Sequence, residues 1–139
     1  MSTTTDNKPG IGIQIGLWSV QIILALLFGM AGWMKLTLPI EELGLRMPWA
    51  GSVPEALVRF IGVTELSGAL GLVLPSLTRI KPKLTPLAAS GLVTVMILAA
   101  VFHLVRGETN ASAGTVFLAS LALFVAWGRR RRAPIQPRS

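Results

Sequence analysis

Residues 57–74, LVRFIGVTELSGALGLVL, decide the fold: 18 residues whose only charged side chains are Arg59 and Glu65, set between Pro54 and Pro75. As a helix rising about 1.5 Å per residue, such a stretch comes close to crossing the ~30 Å hydrocarbon core of a bilayer. It reads as a transmembrane helix that stops at Pro75. Working outward, three more apolar stretches of similar kind appear, at about 17–36 (or from Ile11), 84–105 and 111–127. The last has only 17 residues, the short end of what crosses a membrane. The expected fold class is therefore all-α, a four-helix transmembrane bundle.

The segments between the spans carry breakers and charges. Connector 37–54 holds Pro39, Glu41, Glu42, Arg46, Pro48, Trp49 and Gly51. Its prolines exclude one continuous helix, and Trp49 suits the headgroup level. Loop 76–83 carries Arg79, Lys81, Pro82 and Lys83, while Pro86 falls in the first turn of the third span, where proline is tolerated. In the turn 106–110, Gly107 suits a helix C-terminus, and Thr109 or Asn110 an N-cap. The resulting division is a flexible cytoplasmic tail over 1–10, a transmembrane domain over 11–128 and a basic cytoplasmic tail over 129–139.

Composition supports this reading. Of 139 residues, 52% are hydrophobic and 14% charged, against roughly 25% charged in soluble domains. A cleaved signal peptide ending near Gly29-Met30-Ala31 is a poor alternative, since the apolar run continues past that point. The net charge of +7 invites a nucleic-acid reading. Placement argues otherwise: the run Arg129 to Arg132 directly follows an apolar span, where cytoplasmic flanking charge and contact with anionic lipid headgroups are expected. Cysteine is absent, which removes disulfides, thiolate metal sites and iron–sulfur clusters; a single histidine, His103, removes bis-histidine haem and multi-histidine zinc.

Nine basic residues fall on the side of the termini and the 76–83 loop, and four on the other. By the positive-inside rule both termini are expected in the cytoplasm. Asn110-Ala111-Ser112 then matches a glycosylation sequon on the outer side, but it abuts the membrane and reads as chance. Trp18 and Trp127 fall near one interface, Trp33 and Trp49 near the other, as anchoring aromatics do. Small residues recur on every span, among them Gly29 and Gly32, Gly62, Gly68 and Gly71, and Ala88 and Ala89. Helices in lipid associate through such close approach.

Glu65 is the most informative side chain, because it sits about 12 Å below the membrane surface by helical rise. A carboxylate at that depth costs several kcal/mol unless it is paired, protonated or wetted, which makes it a functional candidate by default. Lys35, His103 and Arg59 are the basic groups nearest in depth, Arg59 about 9 Å above Glu65. An acid, an amine and an imidazole converging in a low-dielectric pocket could move protons to and from a bound polar group. We therefore take Lys35, Glu65 and His103 as candidate catalytic residues, with Arg59, Trp33 and Trp49 as candidate ligand contacts. Snorkelling toward headgroups is the plain alternative for the cations.

Leu27 to Leu36 (LFGMAGWMKL), Arg59 to Leu72 (RFIGVTELSGALGL) and the late His103 resemble the DoxX-like family of four-helix membrane proteins. The resemblance implies a multi-pass protein of the cell inner (plasma) membrane, in a group named for a subunit of a thiosulfate:quinone oxidoreductase. Some relatives are linked to oxidative-stress complexes, and animal relatives act as receptor chaperones. Lys35, Glu65 and His103 match the family's recurrent polar positions. The expected function is a membrane subunit of a redox system that binds a quinone or similar lipophilic small molecule, with no covalently held cofactor and with electrons supplied by a redox partner protein. The rival is a non-enzymatic assembly subunit, alone or as a homo-oligomer. A proton-coupled transporter is a weaker third, since four helices lack the usual repeat bulk.

Overall fold

The structure, a computed structural model, describes residues 7–139. Most of the tail expected to be flexible, Met1 to Asp6, lies outside the described residues. Pro9 and Gly10 precede α1 (Ile11–Thr37), which takes the earlier of the two expected starts and ends where Leu38, held extended before Pro39, cannot continue a helix. The connector folds into a short helix, α2 (Ile40–Arg46), and a 3₁₀ turn, Pro48–Ser52. Glu41 and Glu42 open α2 and Arg46 closes it, the order the helix dipole favours. Three long helices follow: α3 (Glu55–Thr78), α4 (Leu84–Val105) and α5 (Thr109–Trp127). Among the described residues there is no strand.

Four helices are long and apolar enough to cross a membrane, and two of them depart from the sequence expectation. The second does not stop at Pro75. It passes through that proline and ends at Thr78, with Arg79 in the left-handed conformation. Proline removes the donor that the Gly71 carbonyl would accept from in a regular helix, yet the helix continues; the neighbouring Leu72 carbonyl accepts an added hydrogen bond from Gln21 Nε2 at 2.6 Å. The fourth is not short, because α5 runs on as a π turn over Gly128–Arg132, giving an apolar helix of 24 residues.

Contacts place α1 chiefly against α3 and α4 against α5, with α3 and α4 joining the two pairs. The central core contains Leu24, Phe28, Leu72, Leu92, Met96 and Val125. A smaller cluster built on Leu43, Ala50 and Val58 seals the connector end of the bundle. Outward-facing Leu26, Phe60 and Phe117 are each more than 60% exposed, a surface that suits lipid and would be costly in water. This is a multi-pass membrane protein.

Candidate functional site

The site begins with two glycines. Where α1 crosses α3, a Cβ on Gly32 would lie 2.8 Å from the Gly62 carbonyl and from the Leu66 nitrogen, and a Cβ on Gly62 would lie 2.8 Å from Lys35 Cβ. Only glycine permits this approach. Helical side chains lean toward the N-terminus of their own helix, so on this antiparallel pair Lys35 leans into the membrane while Glu65 leans toward the connector. They meet: Lys35 Nζ donates to Glu65 Oε2 at 2.8 Å. Both side chains are buried, at 5% and 6% exposure.

Three features cap this ion pair. The Trp49 ring lies 5.7 Å from Lys35 Nζ, within cation–π range. Arg59 Nη1 donates to the Lys35 carbonyl and, at 2.8 Å, to the Leu38 carbonyl, satisfying acceptors at the C-terminus of α1. Its Nη2 pairs with Glu55 at 2.8 Å. The short connector cluster then covers the whole arrangement.

Of the three candidate catalytic residues, two are brought together and the third is not. His103 Nδ1 lies 2.6 Å from Glu108 Oε2, whose other oxygen accepts from Arg106 Nε at 2.9 Å. Among the described residues the imidazole connects to the pair through aromatic contacts, Phe102 standing edge-on to both His103 and Trp49. The helical turn Glu108 closes explains this partnering: Gly107 takes a positive φ, returning the chain so that the Glu108 amide donates to the His103 carbonyl at 2.8 Å. The N-cap of α5 is consequently Glu108, not Thr109 or Asn110. The hydrogen bond with His103 holds the Glu108 carboxyl below the usual carboxylate range, burial opposing and Arg106 assisting. Arg106 also reaches Ser52 at 2.9 Å, tying this turn to the connector.

The candidate ligand contacts divide likewise. Trp49 covers the pair and Arg59 fixes its backbone, whereas Trp33 is 60% exposed on the outer surface.

A polar network at the other end of the bundle escapes a reading based on charge alone. Gln21, buried in α1, also contacts Ser76, which shares a hydrogen bond of 2.7 Å with Thr85. Arg129, at 3% exposure, donates to Gln21 Oε1. The signal for it was Gln14 and Gln21, two amides seven residues apart and so on one helix face.

The model of the DoxX-like family matches residues 19–125, which covers Lys35, Trp49, Arg59, Glu65 and His103 but neither Gln14 nor Arg129. No curated protein and no solved structure matches the chain.

Proposed function

The chain belongs to the DoxX-like family, and from that premise we propose that it is the membrane subunit of a redox system, binding a quinone or similar lipophilic small molecule at the Lys35–Glu65 pair. One observation carries this reading: the pair is buried at 2.8 Å yet engages only one carboxylate oxygen and one of three ammonium hydrogens. Glu65 Oε1 remains outside the ion pair. The residues suit a quinone. Lys35 can donate to a carbonyl oxygen, Glu65 can accept from a hydroxyl, and Trp49 offers a flat apolar face. A quinone, when bound, supplies the two-electron chemistry; this chain's part is to bind it, keep water out and exchange protons at its oxygens. Electrons would come from a redox partner protein, since the sequence has no flavin, haem or metal motif.

The assembly reading has its own support, since the same ion pair locks α1 to α3 whether or not anything binds. Binding separates the two. Decylubiquinone titrated into protein in lipid nanodiscs, in a W18F/W33F/W127F background where Trp49 is the only tryptophan, is expected to quench fluorescence saturably. Glu65→Gln should weaken that quenching about tenfold, a loss of ~1.4 kcal/mol. Equal, unsaturated quenching in both proteins, with both still folded by circular dichroism, would reject the ligand reading and leave assembly.

We further propose that the termini face the cytoplasm across a plasma membrane, on the imbalance of nine basic residues to four. The chain has no cysteine of its own, so Ile135→Cys can be labelled without background. An impermeant maleimide should reach it only after cells are opened; labelling in intact cells would reverse the topology.

A further inference from the structure

The end of the bundle that carries both termini buries a cation with no counter-ion among the described residues. Arg129 enters from the π turn at the foot of α5, a widened turn that directs it inward while Arg130, Arg131 and Arg132 stay exposed. It donates through Nε to Gln21 Oε1 at 2.6 Å, and through Nη1 to Gln14 Oε1 at 2.7 Å and the Ala133 carbonyl at 3.1 Å. Its guanidinium carbon lies 5.3 Å from the Trp18 ring. Every one of these partners is neutral, and Nη2 has no hydrogen-bond partner among the described residues.

The side-chain carboxylates among the described residues stand elsewhere: Glu41 and Glu42 in α2, Glu55 and Glu65 on the connector-side half of α3, and Glu108 at the α4–α5 turn. Asp6 lies outside the described residues. A guanidinium taken this far from water is stabilised by amides only in part, because dipoles satisfy its hydrogens without balancing its charge.

Arg129 also lines a cleft of about 340 Å³. Lys83 and Arg130 add two more cations to it, and Pro86, Leu87 and Ile135 give it an apolar side. The wall bearing Ile135 is held in place, since the tail folds back on the α3–α4 loop through Arg79 Nε to the Gln136 carbonyl at 3.0 Å and the Arg138 amide to the Arg79 carbonyl at 2.9 Å.

We propose that this cleft is a phosphate site: Arg129, Lys83 and Arg130 take up the oxyanion of a phosphate ester or of free phosphate, and the bound anion balances the buried guanidinium. The site is built, with a glutamine-held arginine behind two exposed cations, and differs in that from a charged surface attracting headgroups by net charge. In the latter, each basic residue near the membrane counts alike, at about fivefold in affinity apiece.

That difference gives the test. The full chain is released from nanodiscs of mixed phosphatidylglycerol and phosphatidylcholine, and retained lipid is counted by native mass spectrometry. Two variants remove the same charge from exposed positions, K83Q/R130Q in the cleft and R131Q/R132Q beside it. Wild type and R131Q/R132Q are expected to retain phosphatidylglycerol within about twofold of each other, and K83Q/R130Q to lose at least about tenfold, against the equal losses that per-charge attraction gives. R129Q should lose it as well. Inorganic phosphate added to the detergent-solubilised protein separates the sources: displacement of retained lipid assigns the cleft to free phosphate, and no displacement assigns it to a lipid headgroup. Equal losses in the two double variants, or equal retention of phosphatidylcholine, would overturn the site.

Discussion

Lys35→Met is expected to destabilise the folded protein by about 3–5 kcal/mol, the cost of leaving one member of a buried ion pair without the other. Glu65 would keep its place on α3, 5% exposed, with the ammonium gone from Oε2. The double variant K35M/E65L should recover most of that loss, since a well-packed apolar pair carries no desolvation penalty. Unfolding in mixed micelles, followed by tryptophan fluorescence for wild type, both single variants and the double, closes a thermodynamic cycle on the pair. A Lys35→Met protein within about 0.5 kcal/mol of wild type, the level of an ordinary surface change, would mean that the pair is not buried as described. Ligand binding should not recover in the double variant even though stability does, because both polar partners of the quinone oxygens are gone.

The second large effect is expected at the helix crossing that makes the pair possible. Gly32→Ala places a methyl group 2.8 Å from two backbone atoms of α3, and backbone cannot swing aside as a side chain can. Helix separation should cost about 1–3 kcal/mol by overpacking alone, and more if Lys35 is drawn away from Glu65. Gly62→Ala should act in the same way, through Lys35 Cβ and the Gly32 carbonyl. Gly114→Ala is the contrasting case. Nothing lies within 4 Å of its Cβ position, so it should be neutral or stabilising by up to about 1 kcal/mol. If the same unfolding assay finds Gly32→Ala and Gly114→Ala alike, the α1–α3 crossing is looser than the geometry here.

What the sequence made legible follows from how few residues can do certain things in lipid. The spans were readable because bilayer thickness sets a length and the apolar run either meets it or does not. Glu65 was readable as a group needing a partner because charges at that depth are scarce, and the sequence narrowed that partner to Lys35, His103 or Arg59 without choosing among them. Helix ends were less so. Pro75 reads as a stop when only its lost donor is considered, but α3 runs on to Thr78, packed against α1, whose Gln21 bonds the Leu72 carbonyl beside the proline turn, and local sequence contains none of that packing. The arginine run reads as one anchoring block, yet a π turn rotates its first member inward and leaves the other three outside. Buried polar groups therefore stand at both ends of the bundle, Lys35 and Glu65 at one and Gln21 and Arg129 at the other.

His103 shows the remaining limit. Helical rise fixes its depth but not the direction its ring faces, and Glu108, five residues on, takes it by closing the turn. Depth alone made it look like a third member of the pair. The rotation of α4 decided otherwise.

In the function proposed above, a lipophilic carbonyl ligand binds at the Lys35–Glu65 pair beneath Trp49. Photoaffinity labelling with an azidoquinone, in native membranes and mapped by mass spectrometry of peptides, tests it most directly. Labels are predicted on Trp49 and its neighbours in the 3₁₀ turn and on the α3 peptide around Glu65, competed away by unlabelled quinone and lost in Glu65→Gln. Labels spread over the lipid-facing residues of all four spans, unaffected by competitor, would contradict it.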